Sequence, residues 1–94
     1  MKLVINACRG GFGINQKVID EYGLDETYLV SHRDDAKLIK LIESGVDCND
    51  DYSQLKIVEI PDVATDYEVV TFYGAEYIIY AINGKLIRAY PEHE

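Results

Sequence analysis

The chain has no tryptophan, one methionine, two prolines, two cysteines and two histidines among its 94 residues. Cys8 and Cys48 form neither a C-x-x-C pair nor the dense framework of a small secreted domain, so they are expected to be free thiols in a reducing, cytoplasmic compartment. No signal-peptide pattern opens the chain. Its longest apolar runs are about six residues, against the roughly 20 needed to cross a bilayer, so no membrane segment is expected. His32 and His93 fall in no metal-ligand spacing, which excludes a histidine-based metal site and implies no metal cofactor. Basic residues are also scarce, 9 against 17 acidic ones, and the formal net charge of −8 repels polyanions. Direct binding to nucleic acid or to an anionic membrane is therefore disfavoured. The charge serves solubility, or, in the sharper reading, makes an acidic face for a basic protein partner. There is no internal repeat, low-complexity segment or linker, and a chain this short holds one core, so residues 1–94 are read as a single domain.

A composition 48% hydrophobic and 28% charged belongs to an ordinary globular protein. Residues 2–6 form a short β-type run ending at the glycine-rich stretch 8–13. Asn15 then offers an N-cap, and Ile14, Val18, Ile19 and Tyr22 recur at helical spacing until Gly23 supplies a residue that accepts positive φ. Residues 27–31 are β-branched and aromatic enough for a short strand, and an irregular connection fits nearly as well. Asp34 or Asp35 caps a second helix carrying Leu38, Ile39, Leu41 and Ile42, closed by Gly45. Residues 46–53 read as a polar loop. Residues 55–60 form a strand stopped by Pro61, which has no N–H for a sheet ladder. Three further runs, 67–73, 76–82 and 85–90, follow as a meander. Asn83-Gly84 joins the last two with the residue pair that a type I′ turn prefers. The fold class is thus α+β: a short N-terminal strand, a glycine-rich loop and two helices, then a C-terminal antiparallel β-meander. The run 76–82 is apolar on both faces, which predicts cover on both sides. Two modest helices would cover one, and a second copy of the protein the other, so a homo-oligomer is expected.

The stretch Cys8-Arg9-Gly10-Gly11-Phe12-Gly13 is the one segment with chemical character. Glycine N–H groups, a helix start and a guanidinium meet there, as in backbones that cradle phosphate or carboxylate groups. The dinucleotide fingerprint fails at Gln16, where its third glycine belongs, and the Lys-Ser/Thr end of a Walker loop is missing. A thiolate phosphatase would place arginine six positions after its cysteine, where this chain has Ile14. The alternative is structural: three glycines make a tight turn, Phe12 plugs the core and Cys8 is a small hydrophobe. Arg9, Gly10, Gly11, Phe12, Gly13 and Asn15, supplemented by Arg33 from the second helix start, are the candidate residues of an anion site; none is assigned a catalytic role. Asp47, Asn49 and Asp51 copy the opening of a calcium loop, but Tyr52 and Val58 stand where its glycine and glutamate are required, so a solvated acidic loop is expected. Eight tyrosines, five of them in the meander, fit both strand packing and an interface.

Val4-Ile5-Asn6 running into Gly10-Gly11-Phe12-Gly13, the helix opening Arg33-Asp34-Asp35, and Leu55 through Pro61-Asp62 resemble, in order over most of the chain, a family of small uncharacterised proteins encoded by phages and prophages of bacteria. Members of that family often carry Tyr where this chain has Arg9, Ser where it has Asn15, and a basic tail where it has Tyr90-Pro91-Glu92-His93-Glu94. The resemblance implies phage origin, host-cell cytoplasm and no known activity. By analogy with other small phage accessory proteins it points to counter-defence, or host immune evasion. The leading expectation is a non-catalytic protein that sequesters an anionic, nucleotide-like small molecule. The alternative is an acidic inhibitor that mimics nucleic acid towards a basic host effector, and third comes a cysteine-dependent enzyme.

Overall fold

Helix caps, turn glycines and one proline divide the chain into the elements of the computed structural model, which describes residues 1–91. In order these are β1 (Lys2–Asn6), α1 (Gln16–Tyr22), α2 (Glu26–Val30), α3 (Ala36–Glu43), β2 (Leu55–Glu59), β3 (Asp66–Phe72), β4 (Ala75–Ile82) and β5 (Lys85–Ala89). Asn15 caps α1 by accepting the Lys17 N–H, and Gly23 ends it at φ 66°. Asp35 caps α3 through the Leu38 N–H. Where a strand or an irregular connection is expected over residues 27–31, Glu26–Val30 form a helix, because the Asp25 carboxylate accepts the Tyr28 N–H and fixes a helical start that outweighs β propensity. The turn buries Leu29 completely enough to repay its short length. No helix among the described residues is long and apolar enough to cross a membrane.

β1 and β2 pair antiparallel, with Leu3 opposite Val58 and Ile5 opposite Lys56. β3, β4 and β5 form a separate antiparallel sheet with β4 in the middle. Because side chains alternate along a strand, the β1–β2 ribbon has two faces. Val4, Leu55 and Ile57 join Val18, Leu29, Leu38 and Ile39 of the helices in one core cluster. Leu3, Ile5 and Val58 join Ile60, Ile78, Tyr67 and Val69 on the other side. The chain therefore has three layers: helices, ribbon, meander. Leu3, Val4 and Ile5 are fully buried, and burial of each such side chain contributes about 1.5–3 kcal/mol.

The strand covered on both sides is thus β1, and β4 is covered on one side only. The ribbon, and not the helices, packs on the meander, since β1 supplies the apolar face that β4 needs. Both meander turns carry two residues at positive φ, Tyr73 and Gly74 (53° and 87°) and Asn83 and Gly84 (51° and 79°), as type I′ hairpins require. At Gly74 the demand is also spatial: a Cβ would lie 2.0 Å from the Arg9 carbonyl oxygen.

Candidate functional site

The glycine-rich loop leaves β1 and folds against two other segments. A Cβ on Gly10 would sit 1.7 Å from the Tyr52 carbonyl oxygen, and one on Gly13 would sit 2.0 Å from Asp50 Oδ2. Gly10 and Gly13 thus let the backbone close onto the loop 50–52, and Gly74 lets the β3–β4 turn close onto Arg9. Gly11, at φ 89°, faces open space. Phe12 is partly buried against the helical core and lies under the Arg33 guanidinium, 3.9 Å from its ring centre.

Two carboxylates already occupy this loop. Glu26 accepts the Ile14 N–H at 2.8 Å, and Asp50 abuts Gly13. The Asn15 side chain is engaged as the α1 cap, and its own N–H donates to Cys48 O at 2.8 Å. An incoming anion would meet negative charge and a capped seven-residue helix. Of the residues that the sequence groups at this position, Arg9 alone presents an exposed cation, and among the described residues it makes no ion pair.

Arg33 is not a free cation. It is 6% exposed and forms a two-pronged ion pair with Glu76, which is 7% exposed, at 2.7 and 2.8 Å. Its guanidinium also donates to the carbonyls of Val30 (2.8 Å) and Val4 (3.2 Å), while Glu76 accepts the Asn6 N–H at 2.7 Å. One buried pair thus ties the α2–α3 connection, β1 and β4 together. A signal existed in the sequence: Glu76 is the only charge in residues 75–82, an otherwise apolar strand.

Among the described residues, no base hydrogen-bonds the Cys8 thiol. Cys8 Sγ donates to Tyr52 O at 3.0 Å and to Asn6 Oδ1 at 3.3 Å, both of which are acceptors and neither a base poised to activate it. Burial raises the Cys48 thiol above its ordinary pKa, assisted by the Asp47 charge. His32 Nδ1 pairs with Tyr28 O at 2.8 Å, and the ring stacks on Tyr28. His93 lies outside the described residues. In the acidic loop, Asp47 accepts the Asn49 N–H, Asn49 the Leu55 N–H and Asp50 the Tyr52 N–H, so these side chains fold the loop itself.

The side of the meander turned away from the ribbon carries exposed apolar side chains. Ile78 is fully buried against the ribbon and pairs with Val69 and Ala89. The alternate residues Val70, Phe72, Tyr77, Ile79, Leu86 and Tyr90 therefore point outward. Phe72, Leu86 and Tyr90 are 64%, 76% and 57% exposed. At one end a cleft of about 340 Å³ opens between Phe72, Tyr77 and Tyr90, with Ala7, Ala75, Glu76 and Pro91 completing its walls. The Tyr77 and Tyr90 rings stack at 5.1 Å. Across the middle, Ile79 pairs with Glu68 on one side and Arg88 on the other, which sets one negative and one positive charge on opposite edges of an apolar stripe. Comparison with family models, curated proteins and solved structures found no match.

Proposed function

We propose that the chain is a non-catalytic binding protein whose working surface is the outward face of the meander, and that this face takes up an apolar surface of another protein chain. The exposed side chains of Phe72 and Leu86 on regular strands and of Tyr90 just past the end of β5 carry this reading. A contiguous apolar face on a small, highly charged protein marks an interaction site, and aromatic residues are the ones interfaces favour. In the phage setting that the sequence resemblance implies, such a protein works by capture and not by turnover. A photo-crosslinking residue at position 86 in the producing cell tests this. The expected result is a crosslinked protein species at position 86 and none at Lys40, an exposed position on α3. Equal yields at the two positions overturn it.

One observation favours a second reading, sequestration of an anionic nucleotide-like molecule. The aromatic cleft is within the size range of small-molecule sites, and Arg9 stands two residues along the chain from its Ala7 wall. A base would stack on Tyr77 or Tyr90 with its phosphate towards Arg9. Calorimetry against a nucleotide panel should then show binding that Arg9→Ala and Tyr90→Ala both weaken. Absence of binding to the wild-type protein removes this reading and leaves the first intact.

A further inference from the structure

We infer that the occupant of the outward meander face is a second copy of this chain, packed sheet to sheet about a twofold axis that runs parallel to β4. The inference rests on the reading of that face as the working surface and adds the partner and its orientation. It comes from the charge pattern. Glu68, Ile79 and Arg88 form one row across the three strands, by the registers Glu68↔Ile79 and Ile79↔Arg88. Glu68 and Arg88 are two strand spacings apart, about 10 Å, too far to pair with each other. Both are exposed, and among the described residues neither forms an ion pair.

A face-to-face dimer has two simple orientations. If the axis lies across the strands, β3 sits over β3 and Glu68 meets Glu68, Arg88 meets Arg88. If it lies along β4, β3 sits over the partner copy's β5. Each Glu68 then meets an Arg88, Ile79 meets Ile79, and Val70 meets Tyr90. Only the second arrangement matches unlike charges, and it does so twice by symmetry. Aligned sheets about 10 Å apart accommodate these side chains with the usual twist between them. The footprint of strands of seven, eight and five residues is roughly 300 Å² per copy, below the roughly 800 Å² per partner of a standard stable interface, so a weak dimer that dissociates at micromolar concentrations or above is expected and not a nanomolar one.

The test is sedimentation velocity over a micromolar concentration series on the wild type, Glu68→Arg, Arg88→Glu, an equimolar mixture of those two variants, and a protein carrying both changes. Wild type should sediment as twice the 10.7 kDa chain. Each single variant places like charges over each other in its own homodimer and should dissociate on the order of tenfold more readily. The mixture restores both unlike pairs in a heterodimer, with the same total charge as two wild-type copies, and should recover the dimer. The double variant should recover it too. Because both side chains are exposed, circular dichroism melting should be unchanged, which separates lost assembly from lost folding. A wild-type monomer throughout the series, or single variants as dimeric as wild type, overturns the inference. If the wild type is monomeric while position 86 still crosslinks to a different protein, the proposed function survives and the dimer does not. If both experiments fail, both fall.

Discussion

Replacing Glu76 by leucine tests how the three layers are held. The change removes the partner of a guanidinium that is 6% exposed and the acceptor of the Asn6 N–H. Breaking a buried ion pair by deleting one side costs about 3–5 kcal/mol, and a buried N–H left without an acceptor costs a further ~1–3 kcal/mol. Arg33 keeps its bonds to the carbonyls of Val30 and Val4, which favours the lower half of the range, about 4–6 kcal/mol. A 94-residue chain has a total stability of about 5–14 kcal/mol, so Glu76→Leu should remove between about a third and all of it at 25 °C. Adding Arg33→Met to Glu76→Leu removes the stranded charge and should recover most of the loss, leaving the Asn6 N–H as the main residual cost. Urea unfolding followed by far-UV circular dichroism measures both. A loss below about 1 kcal/mol for Glu76→Leu alone, or a double variant no more stable than the single, would refute the assignment of this pair as the tie between layers.

The two thiols should differ: Cys8, partly exposed, labels with a thiol reagent in the native protein, whereas Cys48, 2% exposed, labels only as the chain unfolds. Stability should also fall on the alkaline side. Burial raises Cys48 above 9.0 and, with help from Asp34, Tyr67 above 10.0. The unfolded chain ionises first, so stability is full below about pH 9 and declines as pH rises through the raised folded values. A melting temperature that climbs from about pH 9 to 11 contradicts this. Gly84→Ala, at positive φ in open space, should cost about 1 kcal/mol, whereas Gly74→Ala, at positive φ and 2.0 Å from the Arg9 carbonyl oxygen, should cost upwards of about 3 kcal/mol. Equal losses by chemical denaturation would show that the loop gives way freely at Gly74.

Features set by neighbouring residues were legible in the sequence. The Asn15 and Asp35 caps, Gly23, the stop at Pro61 and the Asn83-Gly84 turn each act within a few residues, and all stand where the residue types put them. Segment 27–31 was ambiguous because a cap two residues upstream, Asp25, decides against its β-branched composition. What depends on distant partners was not legible. Leu3 pairs with Val58 and Arg33 finds Glu76 43 positions away; the lone charge in the apolar run 75–82 marks Glu76 as needing a partner, but nothing local names which one. That is why Arg33 reads from the sequence as a free cation near Arg9 when the fold buries it. The glycine-rich loop shows the same limit: its glycines answer to the backbone at Tyr52 and the side chain of Asp50, and the loop itself names neither. The apolar character of residues 76–82 did announce an uncovered face, but which layer covered the other side required the ribbon.

The most direct test of self-association through the outward meander face is the concentration dependence of backbone amide chemical shifts. Between dilute and concentrated protein, changes should be confined to β3, β4 and β5, be largest at the row Glu68, Ile79 and Arg88, and disappear in Glu68→Arg. Spectra that stay constant over the range, or that change mainly in α1 and α3, would contradict the account.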